Sequence, residues 1–266
     1  MIPELERLPP VEVLGEVGST NALMMERARA GAPRGAAVQA RVQTAGRGRR
    51  THAWSSPEGG LYLSVLVRPQ VAVGQLPGLP VACALGILDA LRTVGCSQAK
   101  LKWPNDVVIG RAKLAGILTE LGQADNGPFA VCGVGVNVNE PEEGAAVPGA
   151  LAPAGLTTSL DAGHALPGLD ELAERVRTGI LDAVESWERG LKGCDEGVAP
   201  LTGVAHAYNE CLAFRGEGVS VFAIDGAKVC NGILLGVDEQ GHALVEVNAE
   251  CIRAFDASLV SIRPME

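Results

Sequence analysis

Apolar and polar residues alternate from Val11 to Val17, the pattern of a half-buried strand. Ser19-Thr20-Asn21 follows and offers N-caps for a short helix running towards Gly31. Further strands are predicted from Ala36 to Val42 and from Leu61 to Val67, on either side of a polar, glycine-rich and basic loop from Gln43 to Gly60. The stretch from Pro77 to Leu91 reads as a buried helix, with Gly95 just beyond its end. Leu101 to Ile109 and Leu114 to Leu118 read as two short strands joined by a turn at Gly110-Arg111. Phe129 to Val138, rich in valine and glycine, reads as a central strand. Pro141 to Pro167 reads as a long loop, and long loops in compact domains are often lids or binding loops. The strongest periodicity comes next: Leu169, Leu172, Val176, Ile180, Val184, Trp187 and Leu191 recur at spacings of three and four, an apolar stripe most simply explained by core packing. Another helix is expected over Val198 to Leu212. From about Arg215 the pattern changes to short strands with tight turns, which predicts a small separate β-barrel.

Composition narrows the class. With 47% hydrophobic and 20% charged residues in 266, the chain is globular rather than disordered. A net charge of −9 argues against a protein that lives on nucleic acid. No uninterrupted apolar run approaches the roughly 18 residues of a membrane helix, and the start, MIPELERLPPVEV, lacks the basic-then-apolar order of a secretory signal. The seven cysteines are scattered without a CxxC pair, as expected for buried free thiols in a reducing compartment, so a cytoplasmic location is expected. The four histidines are also scattered, which disfavours a zinc site.

Three segments carry chemistry. In Gln43-Thr44-Ala45-Gly46-Arg47-Gly48-Arg49-Arg50, followed by Trp54, glycines let backbone approach a ligand while guanidinium groups point at anions. Alone, such a run is more simply a solvated or RNA-binding loop. In Lys102-Trp103-Pro104-Asn105-Asp106, proline shapes a turn whose exit carboxylate could hold Mg²⁺ or a ribose hydroxyl, or merely make an Asx turn. In Lys113-Leu114-Ala115-Gly116-Ile117-Leu118, a lysine opens an apolar strand; it could reach a phosphate or carboxylate, although such a lysine more often marks the solvent end of a strand.

The ordered set GRGRR, KWPND, KLAGIL and Gly133-Val134-Gly135-Val136-Asn137-Val138-Asn139 resembles the catalytic domain of the biotin–protein ligase family, over Ser19 to about Asn139. ILLGVDEQGHALVE and the closing SLVSIRP resemble, more weakly, the family's small β-barrel. The expected fold class is therefore α/β (α+β): a mixed sheet flanked by helices in residues 1–213 and an SH3-like barrel in 214–266. The resemblance implies that biotin is adenylated by ATP with Mg²⁺ and transferred to a lysine of a biotin carboxyl carrier protein, with no membrane or nucleic-acid partner. Homodimerisation through edge strands is compatible with it. No protein nucleophile is required.

The same resemblance distributes roles. Ser19, Thr20, Asn21 and Gln43 would hydrogen-bond the ureido ring of biotin. Arg47, Gly48 and Arg49 would close over biotin and phosphate, with Trp54 walling the pocket and Gly116 lining it. Lys113 would stand between the biotin carboxylate and the α-phosphate as the main catalytic cation, with Arg47 and Arg49. Asn105 and Asp106 would act at ribose, phosphate and metal, Asp106 as the Mg²⁺ ligand. Asn137 would contact the nucleotide, Leu156 would cover adenine, and Arg263 would reach the ATP phosphates from the small domain. Two departures from relatives stand out: Thr51 replaces a loop glycine and should stiffen the loop, and Leu156 replaces a tryptophan, so stacking on adenine should be weaker and Leu156→Trp should tighten nucleotide binding. Because Ser19-Thr20-Asn21 lies so near the start, a preceding DNA-binding winged helix is not expected, nor is a repressor function. The competing readings are a lipoate ligase of the same fold, a non-catalytic biotin- or nucleotide-binding module, and an RNA-binding protein.

Overall fold

The computed structural model describes residues 8–50, 52–140, 151–194 and 197–265. In chain order these form β1 (Glu12–Val17), α1 (Thr20–Arg29), β2 (Ala37–Gln43), β3 (Leu61–Val67), a 3₁₀ turn (Val73–Gly78) leading into α2 (Leu79–Thr93), β4 (Lys100–Lys102), β5 (Asp106–Ile109), β6 (Ala112–Ala124), β7 (Gly127–Val136), β8 (Ala152–Pro153), α3 (Leu169–Leu191), α4 (Ala205–Cys211) and five further strands, β9 (Gly218–Ala223), β10 (Lys228–Val237), β11 (Ala243–Asn248), β12 (Cys251–Phe255) and β13 (Val260–Pro264).

The first eight strands make one mixed sheet in the order β1-β2-β3-β7-β6-β5-β4, with β8 alongside β6. β1 runs parallel to β2, and β8 runs parallel to β6; the remaining pairs are antiparallel. Every residue of β3 is buried because helices cover both faces. On one face Met24 and Ala28 of α1 pack against Val38, Leu66, Phe129 and Val131. On the other, Leu61, Leu63, Val65 and Val67 meet α2 and α3 in the main core. Each fully buried leucine there contributes about 1.5–3 kcal/mol. The segment Val73–Thr93 is long and apolar enough to cross a membrane by composition, but 61% of that stretch is buried inside the protein, so the sequence expectation of no such segment needs this qualification: it is a core helix.

The last five strands form an antiparallel sheet, β12-β11-β10-β9-β13. It shares the main core through Phe214, Val219, Val221 and Leu234.

Several expectations are corrected. The strand predicted from Leu101 to Ile109 is a hairpin, β4 and β5, which pair with Lys102 opposite Asp106. Trp103 in its turn is buried and donates its indole N–H to the Gly241 carbonyl of the small sheet at 3.1 Å. Pro104 fixes the turn locally, and the indole contact joins that turn to the small sheet. β6 extends to Ala124, well past Leu118, because it pairs along its length with β7. The helix expected over Val198 to Leu212 is only Ala205–Cys211. Gly203 has a positive φ of 81°, which interrupts the helix, and the Pro200 carbonyl accepts the Trp187 indole instead. All seven cysteines are free, but only Cys83, Cys96 and Cys132 are buried. Thr51 and residues 141–150 of the long loop lie outside the described residues.

Candidate active site

A buried polar network lies at the start of α1. Ser19 caps the helix, its side chain accepting from the Ala22 N–H. This places Thr20 and Asn21, both buried, against β3 and β6. Thr20 N–H and Oγ1 lie 2.9 and 3.1 Å from Gln43 Oε1, and Gln43 Nε2 donates to Ser56 Oγ at 2.8 Å. Ser64 Oγ lies 2.8 Å from Thr20 Oγ1 and 2.6 Å from Asn21 Oδ1. Asn21 Nδ2 donates to Glu120 Oε2 at 2.9 Å and to the Leu118 carbonyl at 3.2 Å. The network lies against Gly133 on β7, where a Cβ would collide with the Asn21 amide. Every member of such a buried network needs a partner, and here the side chains supply one another.

Beside it, Gly116 and Gly135 stand opposite each other across β6 and β7. The Trp54 indole lies on this pair: a Cβ on Gly116 would be 2.8 Å from Trp54 Cζ3, and one on Gly135 would strike Nε1. The two glycines therefore make room for an aromatic wall. Lys113 Nζ sits 5.2 Å from the Trp54 ring centroid and 2.7 Å from Asp106 Oδ1. The Lys113 backbone is clamped, its carbonyl accepting from Ala154 N–H at 2.8 Å and from Asn137 Nδ2 at 3.2 Å. Asp106 also pairs with Lys102 at 3.4 Å. Burial pushes the Asp106 carboxyl up, but Lys102 and Lys113 outweigh burial and hold it below the usual carboxylate range.

The basic loop closes the site with a short turn in which Arg47 bridges Ala53 and Gly48 N–H donates to the His52 carbonyl. Arg47 pairs with Glu120 at 2.9 Å. Arg49 donates to the Ala257 carbonyl at 2.8 Å, and Arg50 to Ala257 and Ser258 at 3.0 Å each. Burial and then the neighbouring Arg50 charge lower the Arg49 pKa. The acceptor turn is itself organised by Asp256, which receives the Ser258 N–H at 2.6 Å and whose carboxyl is lowered by that bond.

Thus Ser19, Thr20, Asn21, Gln43, Arg47, Trp54, Lys113, Gly116, Asp106 and Asn137 converge on one region. Asn105 joins it differently: its amide donates to the Ile117 carbonyl at 2.8 Å, tying the turn to β6. Leu156 borders this region through its backbone, its N–H bonded to the Asn137 carbonyl, while its side chain is fully buried in the main core. Arg263 is not brought there: it stacks on Phe222, its guanidinium carbon 4.5 Å from the ring centroid. Sequence reasoning missed Ser64, Glu120 and Lys102. Glu120 closes the run Lys113 to Glu120, and a lone acidic residue in an otherwise apolar stretch was its available signal.

The signature of the Biotin/lipoate A/B protein ligase family matches residues 16–137. The chain is 33% identical over 260 residues to the biotin–[acetyl-CoA-carboxylase] ligase of Mycobacterium tuberculosis, covering 95% of this chain and 89% of that protein. It is 34% identical over 237 residues to the Paracoccus denitrificans enzyme of the same name, covering 88% and 92%. The biotin protein ligase of Aquifex aeolicus in complex with biotin and ATP superposes with a TM-score of 0.74 at 27% identity, over 96% of this chain and 99% of that one. On these likenesses of sequence and fold, the chain belongs to the biotin–protein ligase family.

Proposed function

We propose that this chain joins biotin to ATP, forming biotinyl-5′-AMP, and then passes biotin to a lysine of a biotin carboxyl carrier protein. A biotin carboxylate oxygen attacks the α-phosphorus and pyrophosphate leaves. The lysine amine of the acceptor then attacks the acyl carbon of the mixed anhydride, AMP leaves, and the amine loses a proton to solvent. The observation that carries this reading is the adjacency of a neutral polar pocket to a clamped lysine. The pocket of Ser19, Thr20, Asn21, Gln43 and Ser64 suits the ureido ring, which has N–H donors and a carbonyl acceptor. Trp54 walls the apolar part of the ligand on its glycine platform.

Lys113 then neutralises charge shared by the incoming carboxylate and the α-phosphate, more strongly as negative charge builds in the transition state. Asp106 holds that ammonium in place at 2.7 Å. Arg47, Gly48 and Arg49 close over the adenylate, while Asn137 positions the Lys113 carbonyl and borders the nucleotide. Residues 1–213 form the catalytic unit in this reading, and 214–266 a small domain whose turn receives the arginines. A protein-held Mg²⁺ does not fit Asp106: its carboxylate is engaged by two lysines, and among the described residues no three His, Cys, Asp or Glu side chains cluster. Mg²⁺ then enters with the ATP phosphates. Nucleic acid has no part in the reaction, and it belongs in the cytoplasm, where carrier proteins and ATP meet.

The test is incubation with biotin, MgATP labelled at the α-phosphate, and an apo carrier domain, with Lys113→Ala alongside. Labelled biotinyl-AMP and biotinylated carrier from the unaltered protein alone are the expected outcome. Adenylation of lipoate in preference to biotin, or of neither acid, defeats the reading.

A further inference from the structure

Glu120 joins two parts of the site that are remote in sequence. It lies on β6, and its two carboxylate oxygens face different partners: Oε1 is 2.9 Å from Arg47 Nη2, and Oε2 accepts from Asn21 Nδ2 at 2.9 Å. An ionised carboxylate can only accept hydrogen bonds, and so can the Leu118 carbonyl that the same amide nitrogen reaches at 3.2 Å. The two acceptors oblige the Asn21 NH₂ to face β6. Its Oδ1 is thereby turned to Ser64 and the pocket. The two ends of an amide are nearly identical in shape, so only hydrogen-bonding neighbours can decide which way it points.

We infer that Glu120 is a positioning residue for acid binding. Its carboxylate sets which end of the Asn21 amide meets the ligand's polar ring, and it tethers Arg47 so that the basic loop is held over the pocket before ligand arrives. The inference rests on the reading that a neutral-ringed acid fills this pocket. A guanidinium carries five N–H donors, so pairing one nitrogen with Glu120 leaves others for the ligand's carboxylate or an adenylate phosphate. The Glu120 side chain is only 21% exposed, so solvent screens the contact incompletely. Glutamine in its place keeps the size and loses both constraints: its amide can offer NH₂ as readily as oxygen to Asn21, and it has no charge for Arg47.

The experiment compares the full-length protein with Glu120→Gln, Arg47→Ala and the double variant, using biotin and MgATP. Glu120→Gln is expected to raise KM for biotin roughly tenfold, the loss of one charge-assisted contact, while KM for ATP stays unchanged. In the Arg47→Ala background the same substitution should cost clearly less. Limited trypsin digestion of the ligand-free protein should cut after Arg49 and Arg50 several-fold faster in Glu120→Gln, on the order of one lost tether. An unchanged biotin KM with an unchanged digestion rate overturns the inference. So does a uniform fall in both KM-defined affinities with strictly additive effects in the double variant, which marks a residue that only supports the fold. If the unaltered protein makes no biotinyl-AMP, the functional reading fails, and the digestion rates still decide whether Glu120 holds the loop.

Discussion

The polar pocket and the basic loop serve the same site but are built in opposite ways. In the pocket, Thr20, Asn21 and Ser64 are buried on α1 and β3, and each bonds another side chain of the network. Arg49 and Arg50 of the loop instead reach out to backbone carbonyls of the turn at Ala257 and Ser258, and Arg50 is exposed. A buried, fully partnered network is costly to disturb and so keeps one geometry. The exposed Arg50 contacts contribute little, so a ligand can replace them without a large penalty. In the proposed reading, the network would recognise the ligand by rigidity and the loop would respond by exchange of partners.

The largest expected effect lies where the two regions meet. Lys113→Ala should lower the adenylation rate by about 10²–10³-fold, read as ATP–pyrophosphate exchange, because a fixed charge at the reacting phosphate is lost. A loss under about tenfold would move the catalytic charge to the loop arginines. Asp106→Ala should destabilise the fold by about 3–5 kcal/mol in denaturant melts, since it leaves Lys102 and Lys113 unpaired in a largely buried place. The acid limb follows from the same group. Its folded pKa is depressed, so its contribution is present above the unfolded carboxyl value of about 3.9 and is lost as pH falls through the lower folded value. Asp106→Asn should therefore show a flatter loss of stability below about pH 4 than the unaltered protein.

Within the pocket, Gly133→Ala should displace the Asn21 amide and weaken biotin binding, with about 1–3 kcal/mol of strain, measurable by calorimetry. Leu156→Trp, expected from sequence to tighten nucleotide binding, should instead lower stability by about 1–3 kcal/mol, because Leu156 is closed into the core. Arg50→Ala should have the smallest effect, under about 1 kcal/mol of stability, while speeding proteolysis of the loop. A large destabilisation there would mean that the loop is as rigid as the pocket, and the contrast between the two would fall.

Much of this was legible in the chain. The 3.6-residue stripe from Leu169 to Leu191 became α3, and Ser19 became the cap of α1. Thr20, Asn21 and Gln43, grouped by the resemblance, lie in one hydrogen-bonded network. The misreadings fall where partners come from afar. The stretch from Leu101 to Ile109 read as one strand, but it folds back at the KWPND turn, whose Trp103 indole docks on Gly241. Leu156, expected to cover adenine, fastens its N–H to Asn137 and packs its side chain into the core, a placement no local pattern announced.

Sequence by itself determined the periodicities, the caps, the turn glycines and the identity of the charged groups available for chemistry, because these depend on neighbours along the chain. Only the tertiary structure decided which of those groups meet. Strand register set Lys102 opposite Asp106 and Gly116 opposite Gly135, and the packing of α1 on the sheet brought Asn21 to Glu120, a hydrogen bond across 99 positions. Periodicity states which face of an element is buried. What that face meets is settled by pairing across the fold, and the chemistry of this site resides in those pairings.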